Sequence, residues 1–211
     1  FSGRQDYNKM ASTLNQIGYL MFRKNDLPGA LLNFNKAAEF AGKGDGNKSL
    51  LTDVWSNIAI CHQNLGNQKT MLDSFEKALD YAKQSGRSDE AARIERIIAM
   101  IYFKKGDNYH AEIYCLSCIE SAKSSSSLNT LQLCYKDYSA VLESENDFVK
   151  ALEYYEKHLN LRDSLNYESR ISEKESADRI AEIEATEQRV RNEIAGEEIE
   201  DLEIKSLREE K

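Results

Sequence analysis

Apolar residues recur along this chain at the three- and four-residue spacing of an amphipathic helix, in blocks separated by turn residues at nearly constant intervals. Four blocks read Leu14/Ile17/Gly18/Met21, Trp55/Ile58/Ala59/His62, Ile94/Ile98/Ala99/Tyr102 and Tyr135/Tyr138/Ser139/Leu142. Each leads into a turn (Asn25-Asp26, Gly66-Asn67, Gly106-Asp107, Asn146-Asp147) and then a second block: Phe34/Ala37/Ala38, Phe75/Ala78/Leu79, Cys115/Cys118/Ile119 and Tyr155/His158/Leu159. Such turns suit helix ends, because Gly and Asn tolerate left-handed backbone and Asp or Asn oxygens accept the free amides of the next helix. The pairs Ala30/Phe34, Met71/Phe75, Ala111/Cys115 and Ala151/Tyr155 fix the register at spacings of 41, 40 and 40 residues. The pattern predicts nine helices and no strands. Four hairpins over about residues 10–48, 49–87, 88–126 and 127–166 make a repeat domain of residues 1–167, and one long charged helix fills 168–211.

A small residue (Gly18, Ala59, Ala99, Ser139) falls where the two helices of each hairpin must approach closely. With the large residues around it, this resembles the W-x2-L-G-x2-Y…A-x3-F pattern of the tetratricopeptide repeat over about residues 10–165. Repeat three departs from the pattern, with Glu95 at the usual large first position and cysteines at two packing positions. The period also exceeds the usual ~34 residues, so each helix should be about a turn longer. Segments such as Gly42–Gly46 and Ser124–Ser127 would join the pairs, and Pro28 suits the first turn of its helix.

The resemblance implies an all-α helical-hairpin solenoid whose concave wall is built mainly by the first helix of each pair. Its inward positions map onto Asn15, Tyr19, Phe22, Arg23, Gln63, Asn64, Arg93, Arg96, Met100, Phe103, Lys104 and Lys136. This wall is basic, amide-bearing and aromatic, which suits a protein or peptide partner with a carboxylate or acidic side chains. Tyr19, Phe22 and Phe103 are the expected anchors. Arg93 and Arg96, three residues apart, are expected on one face as like-charged neighbours, with Lys136 extending the strip. Replacing Arg96 and Lys136 by alanine should then leave the melting temperature unchanged or slightly higher.

From Glu168 the sequence becomes a run of helix formers with apolar residues at Ile180, Ile183, Val190 and Ile194, a coiled-coil seam interrupted at Gly196. The expectation is a homodimer through this seam, the alternative a single helix packed on its own repeats. The last hairpin, ending Tyr154-Tyr155-Glu-Lys-His-Leu-Asn-Leu-Arg-Asp-Ser-Leu, and the following Ile-Ala-Glu-Ile-Glu of residues 180–184 resemble the sensor region of Bacteroidetes tetratricopeptide signalling proteins. That resemblance implies a signal peptide before the repeats, and a membrane anchor and a histidine kinase or LuxR-type output domain after the coil. It also implies a periplasmic position on a membrane-anchored protein, with a cytoplasmic adaptor as the alternative. The chain begins at Phe1, not methionine, and so reads as a fragment or processed form.

Charge sharpens the division: residues 168–211 hold 15 acids and 8 bases, whereas the rest hold 21 and 20. Neither part carries net positive charge to draw a nucleic-acid backbone, and no nucleic-acid ligand is expected. With 41% hydrophobic and 30% charged residues, the composition is that of a folded domain, and one proline in the chain favours long helices over many short strands. Candidate chemistry is sparse. His62, His110 and His158 share no spacing with an acid or nucleophile, and His62 and His158 take packing positions. Cys115 and Cys118 share a helix face; zinc would need further ligands from Cys61, Cys134 or a histidine, and small apolar packing is the preferred reading. Gly42, Gly44 and Gly46 form a hairpin linker with no strand before it, not a phosphate loop. Neither metal, cofactor nor catalytic activity is expected of this chain.

Overall fold

The structure, a computed structural model, describes residues 2–43 and 46–171, with positions 174, 178, 179, 181 and 188 beyond them. Seven helices follow in order: α1 (Ser2–Arg23), α2 (Leu27–Lys43), α3 (Lys48–Asn64), α4 (Gln68–Gln84), α5 (Ser88–Lys104), α6 (Asn108–Ser124) and α7 (Leu128–Ser144). An eighth, α8, begins at residue 148 and is helical throughout the described stretch to 171. There is no strand among the described residues. Helices α3 to α7 are each 17 residues long.

Three-residue linkers separate α3 through α8, and one backbone device builds the links within hairpins and between them. The middle linker residue is left-handed: Gly66 (φ 73°), Gly86 (71°), Gly106 (77°), Ser126 (55°) and Asn146 (64°), as is Asn25 (64°) after α1. The next amide turns back to the carbonyl five residues earlier, as in Asn67 N to His62 O (2.9 Å), Asp107 N to Tyr102 O (3.0 Å) and Asp147 N to Leu142 O (3.0 Å). This closes the orphan carbonyls of each helix end. Asp26, Asp107 and Asp147 then accept amides of the following helix through Oδ1. Asn67 does not cap with its side chain.

The turns expected near residues 25, 66, 106 and 146 are present, and eight helices, not nine, are seen among the described residues, most of the expected tail helix lying outside them. From residue 158 to 171 no glycine or proline interrupts the sequence, so nothing ends α8 at 167, and the expected boundary between hairpin and tail helix falls inside it. By the distribution of contacts the chain divides into Phe1–Arg162 and Asp163–Lys211. In the second unit Tyr167 and Ile171 are exposed. The seam residues Ile180, Ile183, Val190 and Ile194 lie outside the described residues.

Within the first unit the hairpins bury most of the predicted stripes, though Ile17 and Tyr155 are exposed. Phe34, Ile58, Phe75, Ile98 and Leu142 are enclosed, each contributing about 1.5–3 kcal/mol by leaving water. Gly18 shows why the small position matters: a methyl group there would lie 2.7 Å from Phe34 Cδ1. Ala59 and Ala99, at the equivalent places, are fully buried. Tyrosines on the first helices reach back to the preceding second helix, Tyr138 OH to Glu112 Oε1 at 2.8 Å and Tyr102 OH to Glu76 Oε1 at 3.5 Å.

Candidate protein-binding site

Successive first helices touch in two places and part in a third. α1 meets α3, and α5 meets α7, but no Cα atoms of α3 and α5 come within 8 Å of each other. Polar rungs one repeat long span the closed junctions: Asn57 Nδ2 donates to Asn15 Oδ1 (3.0 Å), Thr130 Oγ1 to Asp89 Oδ1 (3.2 Å), and Arg96 Nε to Asp137 Oδ2 (2.7 Å). The open junction is bridged near the helix starts by the long side chain of Arg87, which donates to Ser49 O (3.0 Å) and Asp53 Oδ1 (2.7 Å). Beside it, along α5, lies a cleft of about 360 Å³ lined by Gln63 of α3, by Arg96, Ile97, Met100, Ile101 and Lys104 of α5, and by Asp137 of α7. A second depression of about 340 Å³ shares Gln63, Ile101 and Lys104 and extends past Gly66, Gln68 and Lys105.

Four of the twelve predicted wall residues, Gln63, Arg96, Met100 and Lys104, therefore converge on one cleft. The other eight do not. Asn15 is taken up in its rung with Asn57. Asn64 donates to Ile60 O of its own helix at 2.8 Å. Tyr19 is exposed and Arg23 donates to its hydroxyl at 3.4 Å. Phe22 and Phe103 are half-buried against the cores of their own hairpins, so they are packing residues and not free anchors. Lys136 is exposed, without an ion-pair partner among the described residues.

The expected unrelieved basic strip is also corrected. Arg93 pairs with Asp89 and Glu90, both at 2.8 Å, and lines a different depression beside Ser124 and Ser125. Arg96 is neutralised by Asp137, whose side chain is only 14% exposed. Burial pushes the Asp137 carboxyl above its ordinary range, and Arg96 pulls against that shift. Because local carboxylates already satisfy both arginines, the cleft's unpaired cation among the described residues is Lys104. Its apolar floor is Ile97 and Ile101, which sequence reasoning passed over. Ile97, Met100, Ile101 and Lys104 form an i, i+3, i+4, i+7 stripe that could have revealed them. Asp137, also missed, lies 41 residues after Arg96, one repeat plus one, like the Asp89–Thr130 rung.

Elsewhere the titrating side chains have structural roles. His158 is buried with Nδ1 2.9 Å from Gln132 O, and His110 stacks on Tyr102. Cys115 is buried as expected, with its thiol pushed up to about 12 by burial. Cys118 is not simple packing: it is disulfide-bonded to Cys134, joining α6 to α7 with Cα atoms 6.0 Å apart. The sequence spacing drew attention to Cys115 and Cys118, but these point at different neighbours.

The tetratricopeptide repeat family profile matches residues 52–91 and 97–125. No curated protein matches the sequence. Among solved structures, BtubC (BKLC) from P. vanneervenii superposes with TM-score 0.65 at 13% identity, covering 74% of this chain and 64% of its own. The apo form of RapI gives 0.67 at 15%, covering 75% and 58%. A signal-transduction ATPase with a tetratricopeptide repeat sensor, PH0952 from Pyrococcus horikoshii, gives 0.65 at 16%, covering 78% and 25%. The chain thus spans less than two thirds of the length of these proteins, and at such identities the likeness concerns fold. The first unit is a tetratricopeptide-like solenoid, an architecture that presents extended protein-binding surfaces.

Proposed function

We propose that this chain is the ligand-sensing part of a bacterial signalling protein. The cleft between α3 and α5 holds a protein or peptide segment, and the change in that junction passes through α8 and residues 168–211 to an output domain. The carrying observation is the cleft along α5: it gathers four of the predicted residues, and beside it the Cα atoms of α3 and α5 stay more than 8 Å apart. A ligand there bridges two halves of the solenoid and so reports its presence as a change of curvature. Lys104 favours a carboxylate, and Ile97, Met100 and Ile101 favour an apolar side chain beside it. The archaeal neighbour whose repeats are described as a sensor supports this use of the fold. A histidine kinase or LuxR-type domain is the output suggested by the Bacteroidetes-like end of the last hairpin. Pairing of two chains through Ile180, Ile183, Val190 and Ile194 would couple the sensors. The Cys118–Cys134 disulfide favours an oxidising compartment such as the periplasm, and hence a membrane-anchored parent protein.

The test is selection of acidic-ended peptides from a display library against the full chain, followed by calorimetry on the selected sequences. Met100→Glu and Lys104→Glu should each weaken binding at least ~10-fold, about 1.4 kcal/mol, with little change in melting temperature. Undiminished binding by both variants would remove the cleft as the site. The second reading, a stand-alone adaptor dimerised by its tail, rests on the same repeats. Sedimentation with and without residues 168–211 tests the strut: a monomer in both cases ends it.

A further inference from the structure

Helix α6 is apolar on two opposite sides. One side is buried in the hairpin core through Ala111, Cys115, Cys118, Ile119 and Ala122. The other carries Tyr109, Ile113 and Leu116, exposed by 69%, 45% and 44%, at spacings of four and three that place them in one row about 10 Å long. The row is peculiar to repeat three: one repeat earlier the same positions on α4 are Lys69, Asp73 and Glu76. A helix that is apolar all round belongs in an interior, and a lone solvated face would be polar.

Next to this row lies an aromatic cluster flanked by carboxylates, here called the trough. The rings of Tyr102 and Tyr114 stack at 5.7 Å, and His110 also stacks on Tyr102 at 4.9 Å. Three carboxylates of α4 face them. Glu76 accepts from Tyr102 OH, and Asp73 and Asp80 add negative potential at Tyr102 and Tyr114 respectively. Burial first, then these carboxylates, raise both phenols, Tyr114 to about 12, so the rings stay neutral. The carboxylates beside these neutral rings are what draws a cation to this flank. The chain's own Lys105 already hovers 5.8 Å from the Tyr102 ring. Asp73 and Asp80 have no ion-pair partner among the described residues.

We infer that the outer face of α4 and α6 docks a basic amphipathic helix of another protein. Its apolar residues cover Tyr109, Ile113 and Leu116, and its lysines or arginines enter the trough at Asp73, Glu76 and Asp80. Charge selects this occupant over the nearer ones. Residues 168–211 carry seven more acids than bases, and the remainder of a second copy, with 21 acids and 20 bases, brings no net positive charge to meet the acidic flank. This surface is distinct from the cleft between α3 and α5.

The full chain is titrated, by fluorescence anisotropy, into a labelled helical peptide of leucine and lysine with one leucine face, and into its glutamate counterpart. The lysine peptide should bind and the glutamate peptide should not. Ile113→Ser/Leu116→Ser should weaken binding at least ~10-fold; Asp73→Asn/Asp80→Asn should weaken it at least ~5-fold and flatten its salt dependence. Met100→Glu, in the other cleft, should leave it unchanged, which separates failure here from failure of the sensing cleft. All four replaced side chains are exposed, so each variant should melt like the parent. The proposal is overturned if the lysine peptide does not bind, if the glutamate peptide binds as well, or if both double variants bind undiminished. A dimer abolished by Ile113→Ser/Leu116→Ser would likewise overturn it, by showing a second copy to be the occupant.

Discussion

Arg96→Ala separates two views of the concave wall. Were Arg96 a crowded cation, its removal would relieve repulsion from Arg93 three residues away, a gain of about 0.2–0.5 kcal/mol. The structure instead places its Nε 2.7 Å from Asp137 Oδ2, across the α5–α7 junction. A hydrogen bond between charged groups contributes about 1.5–3 kcal/mol. The guanidinium is 35% exposed, so solvent screening reduces this to about 1–2 kcal/mol. The loss still exceeds the relief. For a domain of this size the melting temperature should fall by about 3–6 °C at pH 7, followed by circular dichroism at 222 nm. The deficit should also depend on pH. The Asp137 carboxyl titrates above its ordinary value in the folded chain because it is buried, and without Arg96 it rises further. A carboxyl with a raised folded value binds protons better folded than unfolded, so its penalty is absent below the unfolded value, about 3.9, and complete above the folded one. Arg96→Ala should therefore approach the parent near pH 4, and Arg96→Ala/Asp137→Asn should recover most of the loss at pH 7. An unchanged or higher melting temperature for Arg96→Ala at pH 7 would refute the reasoning.

Gly18→Ala should lower stability by about 1 kcal/mol, because the clash with Phe34, ~1–3 kcal/mol, outweighs the ~1 kcal/mol gained in helix propensity; urea unfolding reads it, and Phe34→Leu in the same chain should abolish the cost. Reducing the Cys118–Cys134 bridge, whose partners are 16 residues apart, should cost about 3 kcal/mol; melting with and without a reductant should show the drop in the parent and none in Cys134→Ser. Glu95→Met should leave stability unchanged or raise it by about 1 kcal/mol in urea unfolding, since it replaces a fully buried carboxylate whose Oε2 has no hydrogen-bond partner; a loss above ~1 kcal/mol would show the contacts to Lys83 and Ser117 to be indispensable.

The helical register was legible because each linker has a residue that tolerates left-handed backbone, and Gly66, Gly106 and Asn146 announce that in sequence. Ser126 does the same work without announcing it. What was not legible was the end of the last hairpin: composition changes near Glu168, but nothing there stops a helix, so α8 continues. For the site, the repeat template places backbones and not partners. It could put Phe22 and Phe103 on first helices, yet whether each ring turned to the groove or to its own hairpin depended on neighbours such as Leu14 and Tyr102. It could put Arg96 on the wall, but Asp137 lies 41 residues away and its pairing is a property of stacking.

The departure of repeat three from its pattern and the parting of α3 from α5 occur at the same place. Trp55 and Tyr135 are large rings at the first packing position of α3 and α7, and Glu95 takes that position in α5. A carboxylate cannot interlock with apolar neighbours as an indole or phenol does. It is held instead by Ser117 Oγ at 2.5 Å and Lys83 Nζ at 2.8 Å, contacts that draw it toward α6 and α4. Ala59, Ile94 and Ile98 still share one apolar cluster across α3, α4 and α5, and the long reach of Arg87 to Asp53 bridges the junction near its start. A solenoid whose neighbouring repeats are tightly packed everywhere has one shape, because packed interfaces resist small deformations. At the junction of repeats two and three α4 packs on α5 but the first helices do not meet, so a ligand of the proposed kind would shift its geometry only by differential affinity for two arrangements. On the proposed sensing role, the irregular repeat is the element at which ligand binding would be coupled to the shape of the stack.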